Sequence, residues 1–114
     1  MMTRAKMIAL ALALLGTGNA GAAFLDGRQL LEYCTGGGKQ GAKVCEGYVA
    51  GVVDSRLELH DREMLEKKFC LPVNVDLGQV VQVVVNYLFD HPDELEYTAN
   101  STVYVALQGA FPCA

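Results

Sequence analysis

The sequence lacks the residues and motifs on which many enzymes depend. Only 2 of its 114 residues are histidine, and tryptophan is absent. It has no G-x-S-x-G elbow, no H-E-x-x-H helix and no glycine-rich phosphate loop, which excludes the hydrolase and nucleotide-binding classes that carry them. We therefore predict a protein that is not an enzyme and uses neither a metal nor a cofactor.

Basic residues are also scarce. The chain has 9 Lys+Arg against 13 Asp+Glu, and Lys67 and Lys68 form its one adjacent basic pair. Binding to nucleic acid requires clustered positive charge, so we expect no nucleic-acid partner. A basic protein surface or a positively lined cleft suits this charge better.

No hydrophobic run is long enough to cross a membrane. The longest candidate, Met7–Leu15, spans only about half of a hydrocarbon core of ~30 Å. Arg4 and Lys6 precede it, and Ala20-Gly21-Ala22 follows with the small-x-small pattern of a signal-peptide cleavage site. We predict a signal peptide over residues 1–22 and a mature periplasmic domain over residues 23–114, with no membrane association after cleavage.

All four cysteines, Cys34, Cys45, Cys70 and Cys113, lie in the mature part. An oxidising compartment favours two disulfides, and four cysteines allow three pairings. The predicted helix ends favour Cys34 with Cys45 and Cys70 with Cys113, and leave crossed pairings open. A zinc site has little support because no two cysteines have the usual two-to-four-residue spacing.

Apolar periodicity predicts an all-α fold, a compact bundle of four or five helices held by two disulfides. The predicted helices run from Asp26 to the glycines at 36–38, from Cys45 to about Leu59, from Leu77 to about Asp90, and from Thr98 to Ala110. Asp26 with Gln29 resembles a capping box, and Asn74 or Asp76 is expected to cap the third helix. The charged segment 60–68 is either an exposed loop or a continuation of the second helix.

The third helix is the least certain in type, because its five valines favour a strand whereas its length and its polar stripe at Gln79, Gln82 and Asn86 favour a helix. So apolar a helix must be covered on most sides, by the other helices or by a second copy. Gly36–Gly38 with Gly41 predict a flexible connector. Gly47 and Gly51, one turn apart, predict close approach of a neighbouring helix, or else are tolerated weak positions.

Several short blocks occur together in a fixed order. They are Cys45-Glu46-Gly47-Tyr48, Cys70-Leu71-Pro72, His91-Pro92 and Phe111-Pro112-Cys113. Taken jointly, and with the apolar positions between them, they resemble the Rap1a/Tai immunity proteins over roughly residues 24–113.

This resemblance implies a non-enzymatic periplasmic inhibitor, often a homodimer, that neutralises a peptidoglycan amidase effector of a type VI secretion system. It further implies that the loop between the third and fourth helices matters for inhibition by covering the Cys-His cleft of the amidase. The candidate partner-binding residues are Asp90, Asp93, Glu94, Glu96 and Tyr97. Gly47, Tyr48, Cys70, Leu71, His91 and Phe111 are expected to serve the fold.

The competing hypothesis is a small periplasmic acid-stress chaperone. An acidic domain loses carboxylate charge at low pH and could then dissociate and expose the apolar surface of residues 80–88. A second alternative also stays open at this point, in which the four carboxylates between residues 90 and 96 are solvated charges of a loop and bind no partner.

Overall fold

The computed structural model describes residues 24–114, so the predicted signal peptide lies outside the described residues. This part of the chain forms four α-helices: α1 over Gly27–Gly36, α2 over Gly38–Asp61, α3 over Leu77–Asp90 and α4 over Ala99–Ala110. A 3-10 turn, Pro92–Glu94, lies between α3 and α4. None of the described helices is long and apolar enough to cross a membrane. The all-α prediction is confirmed.

Side-chain caps begin three of the four helices. Asp26 and Asp76 each accept a hydrogen bond from the backbone N–H three residues later, at 2.8 Å, and Gln29 and Gln79 complete the two capping boxes. Thr98 caps α4 through its hydroxyl. These caps satisfy amide groups that a helix leaves without internal partners. The predicted starts of these three helices are confirmed, with Asp76 rather than Asn74 at α3. The predicted start of the second helix at Cys45 is wrong, because α2 begins seven residues earlier at Gly38, directly after the junction with α1.

The valine-rich segment is a helix, as its length and periodicity predicted. Val80, Val84 and Leu88 recur every four residues and are 3%, 0% and 1% exposed. Packing of this face against the other helices outweighs the strand propensity of valine. Phe69, in the extended segment before α3, is also fully buried, with its ring edge-on to His60 and Tyr104.

The junction between α1 and α2 is tight, so the flexible connector predicted for Gly36–Gly38 and Gly41 is wrong. Only Gly37 separates the two helices, and Gly41 lies inside α2. A Cβ atom at Gly41 would be 2.8 Å from the carbonyl oxygen of Tyr33. Glycine is thus required here because the two helix backbones touch, and Gly38 begins α2 at φ +65°.

The close approach predicted at Gly47 and Gly51 is also wrong. Both glycines are exposed, and a Cβ atom at either would meet nothing within 4 Å in the described structure. Gly47 and Gly51 are instead tolerated weak positions of α2, which was the alternative prediction. The helix approach that needs glycine lies one and a half turns earlier, at Gly41.

The disulfide pairing favoured by the sequence is confirmed. Cys34–Cys45 (the N-terminal disulfide) joins the end of α1 to α2, and Cys70–Cys113 (the C-terminal disulfide) joins the segment before α3 to the end of α4. The backbone N–H of Cys70 also donates to the carbonyl of Phe111 at 2.8 Å. The two crosslinks therefore hold the helix ends that lie away from the connection between α3 and α4.

The charged segment after α2 is largely solvent-exposed. The helix extends to Asp61, Arg62 pairs with Glu58 one turn earlier, and Lys68 lies 2.9 Å from Glu66. His60 is the exception, because both of its ring nitrogens are buried without a hydrogen-bond partner among residues 24–114.

Candidate functional site

The candidate site is the connection between α3 and α4, residues 90–97, which we call the α3–α4 loop. It contains four carboxylates, one histidine and no Lys or Arg. Asp90 ends α3, Asp93 and Glu94 lie in the 3-10 turn, and Glu96 and Tyr97 follow it. All five predicted partner-binding residues thus lie on one short connection.

The start of α1 holds the backbone of this loop. The N–H groups of Gly27 and Arg28 donate to the carbonyls of Tyr97 and Leu95 at 2.9 and 3.0 Å. On the other side, the N–H of Ala99 donates to the carbonyl of Leu25 at 2.9 Å. The first amides of a helix need partners outside the helix, and here the α3–α4 loop supplies two of them.

Gly27 permits this contact because it has no side chain. A Cβ atom there would lie 3.2 Å from Leu88 Cδ2 and 3.3 Å from both the Cα and the carbonyl oxygen of Leu95. Leu95 itself is only 7% exposed and belongs to the core. The middle of the α3–α4 loop is therefore packed directly against the first turn of α1.

A second anchor is formed by side chains of α3. The Tyr87 hydroxyl donates to Glu94 Oε2 at 2.5 Å, and the Tyr87 ring stacks on His91 with centroids 3.9 Å apart. His91 Nδ1 in turn lies 2.8 Å from the Tyr87 carbonyl. Burial of the phenol, with the hydrogen bond to the Glu94 carboxylate and its negative charge, raises the pKa of Tyr87 to about 12.

A third, weaker anchor is the ion pair between Arg28 and Glu96, whose nearest nitrogen and oxygen are 3.3 Å apart. Both side chains are more than half exposed, and exposed pairs contribute little stability. The pair still orients Glu96 toward α1. Two of the four carboxylates, Glu94 and Glu96, are thus engaged within the chain.

Asp90, Asp93 and Tyr97 differ from Glu94 and Glu96. All three are exposed, Tyr97 by 59%, and within residues 24–114 their side chains form no ion pair or side-chain hydrogen bond. Asp90 is also placed unfavourably for stability, since it lies at the negative end of the α3 dipole, whose last turn has no basic residue. Glu96 is exposed as well, so what distinguishes these three residues is the lack of a side-chain partner within residues 24–114.

Three residues that hold the loop were missed by the sequence prediction: Gly27, Arg28 and Tyr87. The spacing of Tyr87 and Glu94, seven residues across a helix end, contained a weak indication of their contact. Arg28 and Glu96 are 68 positions apart, and nothing in the local pattern relates them. His91 lies between α3 and the 3-10 turn, with its Nδ1 2.8 Å from the Tyr87 carbonyl.

The groups present fit a binding surface better than a catalytic centre. Among the described residues, no cluster of His, Cys, Asp or Glu has the arrangement of a metal site, and no cysteine is free. Of the two histidines, His91 is stacked on Tyr87 and His60 is buried beside Phe69. What the loop offers instead is negative charge and an exposed tyrosine on a backbone anchored at several points.

Comparison with known proteins agrees with the sequence resemblance. The family model described as Rap1a immunity proteins matches residues 26–113. That span begins at the N-cap of α1 and ends at the last cysteine, so it includes all four helices, both disulfides and the α3–α4 loop. A search of curated proteins finds no match.

Proposed function

Because the chain belongs to the Rap1a immunity protein family, whose members are non-enzymatic inhibitors that confer immunity to type VI secretion effectors, we propose that its target is a peptidoglycan amidase. It binds the amidase in the periplasm and covers the active-site cleft, which protects the cell from its own effector. The observation that carries this proposal is the family match over nearly all of the described chain. The acidic, anchored α3–α4 loop supports the choice of binding surface.

The arrangement of the loop supports a division of roles among its residues. Asp90, Asp93 and Tyr97 make the contacts with the amidase, because their side chains are exposed and have no side-chain partner among residues 24–114. Glu94 and Glu96 act through position, because Tyr87 and Arg28 already engage them. A loop that is held in its binding conformation loses less entropy when it binds, and its carboxylates favour encounter with a basic cleft rim.

A periplasmic location is supported by the two disulfides and by the predicted signal peptide. Disulfides form and persist in oxidising compartments such as the bacterial periplasm. The family match begins at residue 26, just after the predicted cleavage site, and thus leaves the predicted signal peptide outside the matched domain.

We also propose that the protein is a homodimer. Leu77, Val81, Val85 and Phe89 follow one another at four-residue intervals along α3. Leu77 and Phe89 are 40% and 61% exposed, and the two valines are half-buried. This stripe is the part of the apolar helix that the described residues leave partly uncovered, and a second copy would complete its burial. Val85→Lys should yield a monomer by light scattering; an unchanged mass would place any dimer contact elsewhere.

The proposed function is tested with mature protein and the peptidoglycan amidase effectors that the genome of the producing cell encodes. We expect tight binding and loss of peptidoglycan hydrolysis at equimolar ratio. Replacement of both free aspartates, Asp90→Asn with Asp93→Asn, should weaken binding by about tenfold or more, since each lost charge contact contributes on the order of 1 kcal/mol. The matched control, Glu46→Gln with Asp54→Asn on α2, removes the same charge elsewhere.

Equal loss of affinity in the loop variant and the control would show that only net charge matters and would reject the loop as the binding surface. Absence of any binding to the amidase, combined with suppression of protein aggregation at acidic pH, would favour the chaperone hypothesis over the proposed function.

A further inference from the structure

A groove between α3 and α4 leads up to the α3–α4 loop. It consists of two cavities, of about 290 and 300 Å³, which share Val83 as a wall. The first reaches from Val83 toward Pro72 and Phe111. The second reaches from Val83 to Asp90 and His91. The two cavities adjoin at Val83, and we call them together the α3–α4 groove.

The residues that α3 contributes to the groove lie on one face of the helix. They occur at intervals of four, three, one and three positions: Gln79, Val83, Asn86, Tyr87 and Asp90. This spacing corresponds to an arc of about 100°. From Gln79 to Asp90 the groove runs about 16 Å at 1.5 Å per residue, the length of an extended segment of about five residues.

The opposite wall is formed by small residues of α4. Ala106, Gly109 and Ala110 line it, and a Cβ atom at Gly109 would meet nothing within 4 Å. The bottom is apolar, with Val83 and Phe111. Position 109 therefore has open space beside the second cavity, with no side chain of its own to fill it.

The α3 wall offers unused hydrogen-bond donors. Gln79 uses its side-chain oxygen in the α3 capping box, and Asn86 uses its oxygen to accept from Gln82 at 2.7 Å. Their side-chain NH2 groups donate no hydrogen bond within the described part of the chain. Such amides suit the backbone carbonyls of an extended peptide.

The charge of the groove is one-sided. No Lys or Arg lines either cavity, and the carboxylate of Asp90 stands where the groove meets the loop. Asp90 also lies at the negative end of the α3 dipole, so a cation there gains from both. The chemistry that complements this groove is an apolar segment with a basic residue at one end.

We propose that the α3–α4 groove is a second recognition element, which binds an extended segment of the effector with a Lys or Arg placed against Asp90. The inference rests on the proposed function, because it assigns the occupant to the same amidase. The loop then covers the active-site cleft while the groove holds a neighbouring surface segment. Contact with both elements fixes the orientation of the partner and adds specificity that loop charge alone lacks.

The test fills the groove from the α4 side, and backbone NMR shifts of residues 93–97 show whether the loop keeps its conformation. Gly109→Trp places an indole in the open space, and Gly47→Trp is the matched control, since both glycines are exposed, helical and free of neighbours within 4 Å. We expect Gly109→Trp to bind the amidase about tenfold or more weaker, while Gly47→Trp binds like the wild type. Thermal unfolding confirms that both variants are folded.

A second variant removes one donor and adds no bulk. Asn86→Ala should weaken binding several-fold while the α3–α4 loop keeps its conformation, as seen from unchanged backbone NMR shifts of residues 93–97. Amidase added to labelled protein should shift the amide signals of residues 106–110 as well as those of the loop.

The outcomes separate the two proposals. Normal binding by Gly109→Trp and Asn86→Ala, with loss of binding in the Asp90→Asn/Asp93→Asn variant, rejects the groove and leaves the proposed function standing. Failure of the wild type to bind the amidase rejects the proposed function and the groove with it.

Discussion

The contact between Tyr87 and Glu94 is the most informative place to perturb the site. Tyr87→Phe removes one hydroxyl and keeps the ring, which stacks on His91 at 3.9 Å. The variant therefore removes the hydrogen bond to Glu94 and leaves the apolar packing in place. If Glu94 is a positioning residue, this change must affect both stability and recognition, although Tyr87 itself need not touch the amidase.

The expected magnitude follows from the type of bond and its surroundings. A hydrogen bond to a charged group contributes about 1.5–3 kcal/mol when buried. Tyr87 and Glu94 are half-buried, so water compensates part of the loss, and we expect about 1–2 kcal/mol. At an m-value of about 1 kcal/mol/M, the urea midpoint falls by about 1–2 M.

A double-mutant cycle isolates the pair. We combine Tyr87→Phe with Glu94→Ala and measure unfolding in urea and affinity for the amidase. Coupling of about 1 kcal/mol or more is expected in stability, because either change alone removes the same bond. Tyr33→Phe on α1 is the control, since Tyr33 is 39% exposed and its hydroxyl has no hydrogen-bond partner within residues 24–114. Additive effects, or equal losses in the control, would refute a positioning role for Glu94.

The same pair predicts a pH dependence. The pKa of Tyr87 is raised to about 12 from an ordinary value of 10.0. Because the folded state holds this proton more tightly, the contribution is fully present below pH 10 and is lost as the pH rises toward 12. The wild type should lose more stability than Tyr87→Phe across this window. Ultraviolet difference titration should show a phenol that titrates near pH 12 and disappears in the variant, whereas the phenol of Tyr48, whose pKa is also raised by burial, remains.

Three further predictions concern stability and are checked by urea or thermal unfolding. Gly41→Ala should lower the free energy of unfolding by about 1–3 kcal/mol, because the new Cβ meets a backbone oxygen at 2.8 Å. Gly47→Ala should raise it by about 0.5–1 kcal/mol. A change of the same sign in both variants would contradict the packing described. Replacing both cysteines of the C-terminal disulfide, which are 43 positions apart, by serine should lower the free energy of unfolding by about 4 kcal/mol. The same replacement at the N-terminal disulfide, whose cysteines are 11 positions apart, should lower it by about 3 kcal/mol. The reverse order would indicate that loop length does not govern the effect. His60→Leu should stabilise by about 1 kcal/mol, since both ring nitrogens are buried without a partner in the described chain; a loss of similar size would reveal a partner.

Local features of the chain could be predicted because their causes are local. The Asp26 and Asp76 caps depend on residues three positions away. The disulfide pairing followed from where the helices end. The type of α3 followed from the length of the segment and from its polar stripe at Gln79, Gln82 and Asn86, because residues three apart share a face in a helix and lie on opposite faces in a strand.

Features that depend on how helices pack could not be predicted in the same way. Gly41 and Gly47 both occur in α2, and the sequence does not show which of them faces α1. The pairing of Arg28 with Glu96 depends on the loop folding back over the start of α1. As a result, the acidic segment was located correctly, but the distinction between its free and its engaged carboxylates required the structure.

The division of the loop into two groups also has a consequence for stability. Asp90 is unfavourable at the end of α3, and Asn at this position would relieve a few tenths of a kcal/mol of dipole repulsion. Residues that lower stability while remaining exposed and unpaired are typical of binding surfaces. The same carboxylate terminates the α3–α4 groove, so it is the point at which loop and groove recognition meet.

The central claim, that the α3–α4 loop covers the active site of an amidase, is tested most directly by protection of the amidase's reactive cysteine. The rate of alkylation of that cysteine is measured alone, with an equimolar amount of this protein, and with the Asp90→Asn/Asp93→Asn variant. If the loop covers the active site, the wild type suppresses alkylation of the cysteine. At concentrations where the wild type protects the cysteine, the variant leaves it open to alkylation. A stable complex whose cysteine is alkylated at the rate of the free amidase would contradict it.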